Sequence, residues 1–104
     1  MAYQSVFAKD LFKGKTLVIT GGGSGIGRCT AHELAALGAK LILTGRKQEK
    51  LDAVVAEIRE DGGEAASYSF DIRDEDAVKV AVAQMLAEHG AIHGLVNNAG
   101  GQYP

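Results

Sequence analysis

Apolar residues along the chain follow two different patterns. Short and nearly continuous apolar runs occur at Leu17–Ile19, Leu41–Leu43 and Ile92–Val96, with a weaker run at Ala65–Phe70. Runs of this kind are typical of strands that are covered on both faces, as in a parallel sheet. The sequence therefore predicts four strands, of which the third is the least apolar.

Helical periodicity fills the segments between these runs. Mostly apolar side chains recur there every three or four residues, which places them along one face of a helix. The positions are Ile26, Thr30, Leu34 and Leu37, then Leu51, Val54, Val55 and Ile58, then Val78, Val82 and Met85. Glycines at 38, 62 and 90 are predicted to end the three helices. Asp74 is predicted to cap the third, with two acidic residues in its first turn.

The resulting order of elements, β-α-β-α-β-α-β, predicts an α/β fold. Parallel strands joined by right-handed helical crossovers give a doubly wound parallel sheet with helices on both faces. We expect the strand order 3-2-1-4, with the switch point between the first and fourth strands. Residues 14–104 would form this unit, after an arm of residues 1–13 that contains aromatic side chains. Because the apolar fourth strand would have an uncovered outer edge, we expect the four strands to form half of a larger sheet.

Composition narrows the classes of partner. Apolar residues make up 46% of the chain, charged residues 23%, and the net charge is -2. These values predict a globular domain, with no reason to expect nucleic acid or an anionic membrane as partner. No run approaches the ~20 apolar residues that span a bilayer, so a cytoplasmic protein is expected. The single cysteine, Cys29, cannot form an internal disulfide, and we expect it to be a small buried side chain.

A glycine-rich turn, residues 20–27, joins the first strand to the first helix. Glycines allow a sharp turn and the close approach of a phosphate, and the free amide groups at the helix start bind an anion. The candidate phosphate-binding residues are Gly21, Gly23, Ser24, Gly25, Ile26 and Gly27. The Gly-Lys-Ser/Thr signature of nucleoside triphosphate binding is missing from the turn, which disfavours that class of site.

Two motifs resemble those of the short-chain dehydrogenases/reductases. Residues 20–27 have the TGxxxGxG spacing of that family, and residues 97–100 read NNAG directly after the fourth strand. The resemblance extends from about Leu11 to Gly100. It implies a Rossmann fold, a nicotinamide dinucleotide as cofactor, and a homo-oligomer, tetramer or dimer, when the protein is complete.

The end of the second strand indicates which nicotinamide cofactor is bound. By resemblance, Gly45 occupies the position of the acidic residue that holds the ribose 2′-hydroxyl in NAD enzymes, and Arg46 follows it. A guanidinium there can bind a 2′-phosphate through two parallel hydrogen bonds, which predicts NADP(H) rather than NAD(H). The alternative is that Arg46 and Lys47 are a solvated loop pair.

Further contacts follow from the resemblance alone. It implies that the Asp71 side chain and the Ile72 amide meet the adenine edge; the alternative is that Asp71 is only a turn residue before the cap at Asp74. It also implies that Asn98, Ala99 and Gly100 line the ribose and nicotinamide side, whereas Asn97 braces neighbouring strands.

The family transfers a hydride between the nicotinamide and a small-molecule substrate, a carbonyl, alcohol or enoyl(-CoA) compound. Its Tyr-x-x-x-Lys pair is missing here, since Tyr3, Tyr68 and Tyr103 have no lysine four positions on. We therefore assign no catalytic residue and expect the 104-residue chain alone to be inactive. The three histidines show no metal-binding spacing. The alternative function is a non-catalytic dinucleotide-binding module or regulatory subunit.

Overall fold

The computed structural model describes residues 10–23 and 25–98. Strands and helices alternate from one end of this range to the other. They are β1 (Thr16–Thr20), α1 (Gly25–Ala36), β2 (Lys40–Gly45), α2 (Gln48–Glu60), β3 (Glu64–Ser69), α3 (Glu75–His89) and β4 (Gly94–Val96). The four strands form one parallel sheet in the order β3-β2-β1-β4. The α/β fold class and the strand order predicted from the sequence are confirmed.

The sheet is covered unequally on its two faces. Residues paired between neighbouring strands point to the same face of the sheet. Ile19 of β1 is paired with Leu43 of β2, and both pack with the buried side chains of α1 and α2. On the opposite face, Val18 and Ile42 pack with Ala81 and Met85 of α3. β2 is therefore buried on both faces, which is why its sequence is an unbroken apolar run.

The predicted helix ends are confirmed by their geometry. The Asp74 side chain accepts a hydrogen bond from the Ala77 amide at 3.1 Å and caps α3. Gly38 and Gly90, which follow α1 and α3, have φ values of 95° and 81°. Glycine adopts this left-handed conformation without steric cost, and it directs the chain out of each helix.

Three predicted features of the apolar pattern are wrong. Ile26, predicted on the apolar face of α1, is 75% exposed. The predicted α3 face contained Val82, but Val82 is 40% exposed and Ala81 and Met85 are the buried residues. The helix also carries exposed apolar side chains at Val80 and Leu86, so its periodicity did not identify the face that meets the sheet. Cys29, expected to be buried, is exposed on α1.

The start of β4 differs from the predicted run, since the strand begins at Gly94 rather than Ile92. The His93 side chain takes part in the pairing just before it. The Thr16 amide donates to His93 Nδ1 at 2.9 Å, and the His93 amide donates to the Thr16 carbonyl at 2.8 Å. An imidazole nitrogen thus accepts the β1 amide proton, and regular pairing starts one residue later.

The part of the arm that the structure describes packs on the domain. The Phe12 amide donates to the Leu37 carbonyl at 2.8 Å, and the Phe12 ring packs against the core beside α1 and α2. The other aromatic residues of the predicted arm, Tyr3 and Phe7, lie outside the described residues. Within residues 10–23 and 25–98, no helix has the length and apolar character needed to cross a bilayer.

Candidate functional site

The glycine-rich turn lies at the carboxyl edge of the sheet. The amides of Gly21 and Gly22 both donate to the Thr44 carbonyl, at 2.8 and 3.2 Å, so the turn is attached to the end of β2. Gly21 has a φ of 67°, a conformation that favours glycine. Ligands of open parallel sheets bind at this edge, beside the switch point of the strand order. The switch point here is the β1–β4 pair, as predicted.

Gly27 allows α1 to start directly against this turn. A Cβ atom at this position would lie 2.1 Å from the Gly21 carbonyl oxygen and 2.8 Å from Asn98 Nδ2. No acidic residue is present in the first turn of α1. The positive end of the helix dipole therefore has no negative side chain of its own helix beside it, which suits an anionic ligand.

The end of β4 braces the turn. The Asn98 amide donates to Thr20 Oγ1 at 2.8 Å, and the Asn98 side chain donates to the Gly21 carbonyl at 3.3 Å. Asn97 is held against the same threonine, with 3.1 Å between its Oδ1 and Thr20 Oγ1. The structure thus shows both asparagines joining the ends of β1 and β4, a role that was expected for Asn97 only.

A pocket of about 540 Å³ lies beside the turn and the end of β2. Two glycines of the turn, the end of β2 and the start of α2 line it; the residues are Gly21, Gly23, Gly45, Arg46, Lys47, Lys50 and Leu51. The structure therefore brings Arg46 to the same pocket as the glycine turn. Lys50 and Leu51 were not foreseen as pocket residues, because only the packing of α2 against Gly23 brings them there.

Positive charge is concentrated at this pocket. Arg46, Lys47 and Lys50 are exposed, and none of them forms a side-chain ion pair with another described residue. Lys47 occupies the N-cap position of α2 without a capping side-chain bond. Cations beside a helix N-terminus are unfavourable for the helix itself. The first turn of α2 sets one acidic residue, Glu49, against these three cations, so the arrangement still favours an anionic ligand.

Asp71 lies two residues beyond the end of β3, and Arg46 directly follows the neighbouring strand β2. Its carboxylate accepts hydrogen bonds from the Arg73 side chain at 3.1 and 3.0 Å and from the Arg73 amide at 2.9 Å. The Arg73 guanidinium and amide, with a smaller contribution from the Arg46 charge, lower the pKa of Asp71 to about 2. Asp71 is therefore an anion throughout the physiological pH range. The partnership with Arg73 was not foreseen from the sequence.

Two chemically suggestive side chains, Arg28 and Tyr68, are engaged away from the pocket. Arg28 binds the Glu57 carboxylate of α2 through Nε at 2.9 Å and Nη2 at 3.0 Å, which lowers the pKa of Glu57. The Tyr68 hydroxyl donates to Glu88 and lies 3.0 Å from His89 Nε2, at the far end of α3. Neither side chain contributes to the pocket.

Other predicted site residues lie outside this pocket or outside the described part of the chain. Gly25 and Ile26 are exposed at the start of α1, with Ile26 75% exposed. Ser24, Ala99 and Gly100 fall outside the described residues. Among the described residues, no three His, Cys, Asp or Glu side chains are grouped closely enough to hold a metal ion.

Comparison with known proteins identifies the family to which this fold belongs. The sequence profile of the short-chain dehydrogenases matches residues 15–104. A citronellol catabolism dehydrogenase of Pseudomonas aeruginosa has a similar structure, with a TM-score of 0.92 and 62% identity over 94% of this chain and 41% of that protein. The curated relatives are longer, and the chain spans 28% to 36% of their lengths.

Two further similar structures contain different cofactors. A metagenomic short-chain oxidoreductase in complex with NADP has a TM-score of 0.82 and 45% identity, over 85% of this chain and 40% of that one. NAD⁺-bound xylitol dehydrogenase has a TM-score of 0.84 and 40% identity, over 88% and 35%. On its sequence profile, its parallel sheet and its relatives, the chain belongs to the short-chain dehydrogenase family.

Proposed function

We propose that residues 14–104 form the NADP(H)-binding part of an oxidoreductase. The observation that carries this proposal is the pocket beside the glycine turn. Arg46, Lys47 and Lys50 line it, and no acidic residue does so within the described part of the chain. A 2′-phosphate adds two negative charges to the adenosine ribose, and a cationic pocket distinguishes it from a 2′-hydroxyl. Gly45 supports the assignment, because it places no carboxylate at the end of β2.

The residues present fit a bound dinucleotide. A Cβ at position 27 would fill the space against Gly21, whereas glycine keeps the turn and the helix start open to a pyrophosphate. We assign the pyrophosphate to residues 21–27, including Ser24, and the 2′-phosphate to Arg46. The adenine edge is assigned to Asp71 and Ile72, and the nicotinamide side to the segment Asn98–Gly100.

The chemistry that a bound nicotinamide ring supplies is the transfer of a hydride to or from carbon. We propose a carbonyl, alcohol or enoyl(-CoA) compound as the substrate of the whole protein. Within the chain we assign only binding and orientation of the dinucleotide and no catalytic residue. Turnover is therefore proposed to require residues beyond these 104.

The proposal predicts that Arg46→Asp selectively weakens NADPH binding. Loss of a charge-assisted contact and new repulsion should cost about 2 kcal/mol or more, which raises the Kd of NADPH about thirtyfold. The Kd of NADH should change far less, because NADH has no 2′-phosphate. Isothermal titration calorimetry on the wild-type chain and the variant measures both values.

Lys79→Asp is the matched control for Arg46→Asp. It makes the same change of charge on the exposed surface of α3, away from the pocket, and should leave both Kd values within about twofold. Tighter binding of NADH than of NADPH by the wild-type chain would refute the proposed cofactor. An equal loss of NADPH affinity in both variants would remove Arg46 from the phosphate site.

A further inference from the structure

The segment between β3 and α3 presents a preorganised carboxylate. An ionised carboxylate has about four acceptor positions on its two oxygens. Arg73 occupies three of those of Asp71: its amide and Nε donate to Oδ1, and Nη2 donates to Oδ2. Oδ1 therefore has both positions filled, and Oδ2 retains one for a further donor.

An unused donor lies next to this acceptor in the chain. The Ile72 amide makes no hydrogen bond with another described residue, and the Ile72 side chain is 42% exposed. A free position on a carboxylate oxygen and a free backbone N–H are thus offered by consecutive residues. The 6-aminopurine edge presents the complementary pair, an amino donor beside a ring-nitrogen acceptor. A 6-oxopurine presents the reverse, a carbonyl acceptor beside an N–H donor.

We propose that Arg73 is a positioning residue that fixes the Asp71 carboxylate so that the site selects a 6-aminopurine over a 6-oxopurine. This inference rests on the proposed function, since it takes the purine of the dinucleotide to lie against Asp71. The planar guanidinium holds both carboxylate oxygens at once, which fixes the orientation of the carboxyl plane. Without it, the carboxylate can rotate and offer other positions to solvent.

The charge arrangement around the pair supports selection rather than general attraction. The Asp71 carboxylate stays ionised at neutral pH and cannot donate a proton to a purine carbonyl. A 6-oxopurine would therefore place its oxygen against a negative oxygen, with no hydrogen bond to offset the repulsion. Arg73 is 75% exposed at its side chain and Asp71 36%, so the pair adds little to folding stability.

The test compares NADPH with its 6-oxo analogue, reduced nicotinamide hypoxanthine dinucleotide phosphate. Kd values are measured for both on the full wild-type chain, on Arg73→Ala and on Arg73→Lys. We expect the wild-type chain to favour NADPH by about tenfold or more, and both variants to lower this ratio to about threefold or less. Lysine retains the charge but not the two-pronged geometry, so it should not restore the ratio.

Two further variants make the result decisive. Lys79→Ala removes an exposed cation elsewhere on the surface and should leave the ratio unchanged. Asp71→Asn offers an amide donor in place of the acceptor, and we expect it to shift the preference towards the 6-oxo analogue. Circular dichroism verifies that each variant is folded.

The outcomes separate this inference from the proposed function. An unchanged ratio in Arg73→Ala, including an equal loss of affinity for both nucleotides, would overturn the role of Arg73 while leaving NADP(H) binding intact. A ratio restored by Arg73→Lys would also overturn it, because charge alone would then suffice. Failure of the wild-type chain to bind either nucleotide would refute the proposed function and this inference together.

Discussion

Gly27 is confined by two groups that belong to different strand ends. The Gly21 carbonyl comes from the turn after β1, and the Asn98 amide group comes from the segment after β4. Both are within 3 Å of where a Cβ would stand, and one of them is backbone. Backbone cannot move aside as a flexible side chain can, so a methyl group at this position must shift the turn or the helix.

We predict that Gly27→Ala destabilises the chain by about 1–3 kcal/mol, although alanine normally favours a helix over glycine. It should also abolish measurable dinucleotide binding, because the turn must move. Urea denaturation and titration calorimetry measure the two effects. Gly62→Ala is the control: its site has open space and a φ of 91°, so it should lose stability but retain binding. A Gly27→Ala chain that binds NADPH normally would contradict the assigned turn.

Spacing alone was sufficient to predict some of the residues that line the pocket and not others. The glycines and Arg46 could be located because each stands at a fixed distance from a predicted strand end. Lys50 could not, since its place in the pocket depends on how α2 packs against Gly23. The Asp71–Arg73 bond was missed for a similar reason: the sequence shows two neighbouring charges but not which side-chain conformations they adopt.

Among the helices, α3 is held to the sheet by an unusual polar contact at its last turn. The Tyr68 hydroxyl from β3 donates to Glu88, and His89 Nε2 lies 3.0 Å from the same oxygen. Because the hydroxyl proton goes to Glu88, His89 donates from Nε2, which leaves Nδ1 without a proton. Nδ1 is buried and has no hydrogen-bond partner among the described residues. A proton added there would have no hydrogen-bond acceptor among the described residues.

This contact predicts a loss of stability in mild acid. Burial, with the Lys40 charge acting in the same direction and Glu88 opposing, lowers the pKa of His89 below its usual 6.5. The unfolded chain then binds the proton more readily than the folded chain, so stability falls as the pH drops below about 6.5. His89→Gln should reduce the change in urea midpoint between about pH 7.5 and about pH 5.

Tyr68→Phe is the companion variant for this measurement. It breaks the same contact but keeps the titrating imidazole, so it should lower stability at both pH values. Should the stability of His89→Gln retain the full wild-type dependence on pH, protonation of His89 would not be the cause of that dependence.

The apolar pattern of α3 alone could not reveal the contact between Tyr68, Glu88 and His89. It predicted the limits of α3 correctly, but the apolar residues of α3 lie on more than one side, so its buried face remained ambiguous.

Across the described part of the molecule, burial is concentrated in β2 and in the layer between the sheet and the helices α1 and α2. Leu41, Ile42 and Leu43 are fully buried, whereas Leu95 of β4 is 64% exposed on the edge of the sheet. The alternation of elements was enough to predict the order of the strands. It could not show how deeply each strand is buried, because equally apolar runs stand at the centre and at the edge.

A matched pair of substitutions tests how burial differs between the central strand β2 and the edge strand β4. Leu41→Ala removes a fully buried side chain and should cost about 2–5 kcal/mol, whereas Leu95→Ala should cost no more than about 0.5 kcal/mol. Urea denaturation at several protein concentrations measures both. A large and concentration-dependent cost for Leu95→Ala would mean instead that the β4 edge is covered by another chain.

The contacts of Asn98 also set an order of assembly. The turn after β1 is complete only when a segment 77 and 78 residues later returns to Gly21 and Thr20. Contacts between such distant parts of a chain form late in folding, because a long loop must close first. During synthesis, the turn that we propose as the pyrophosphate site would therefore remain incomplete until β4 and Asn98 have left the ribosome. Nucleotide capture would then report that all four strands have assembled.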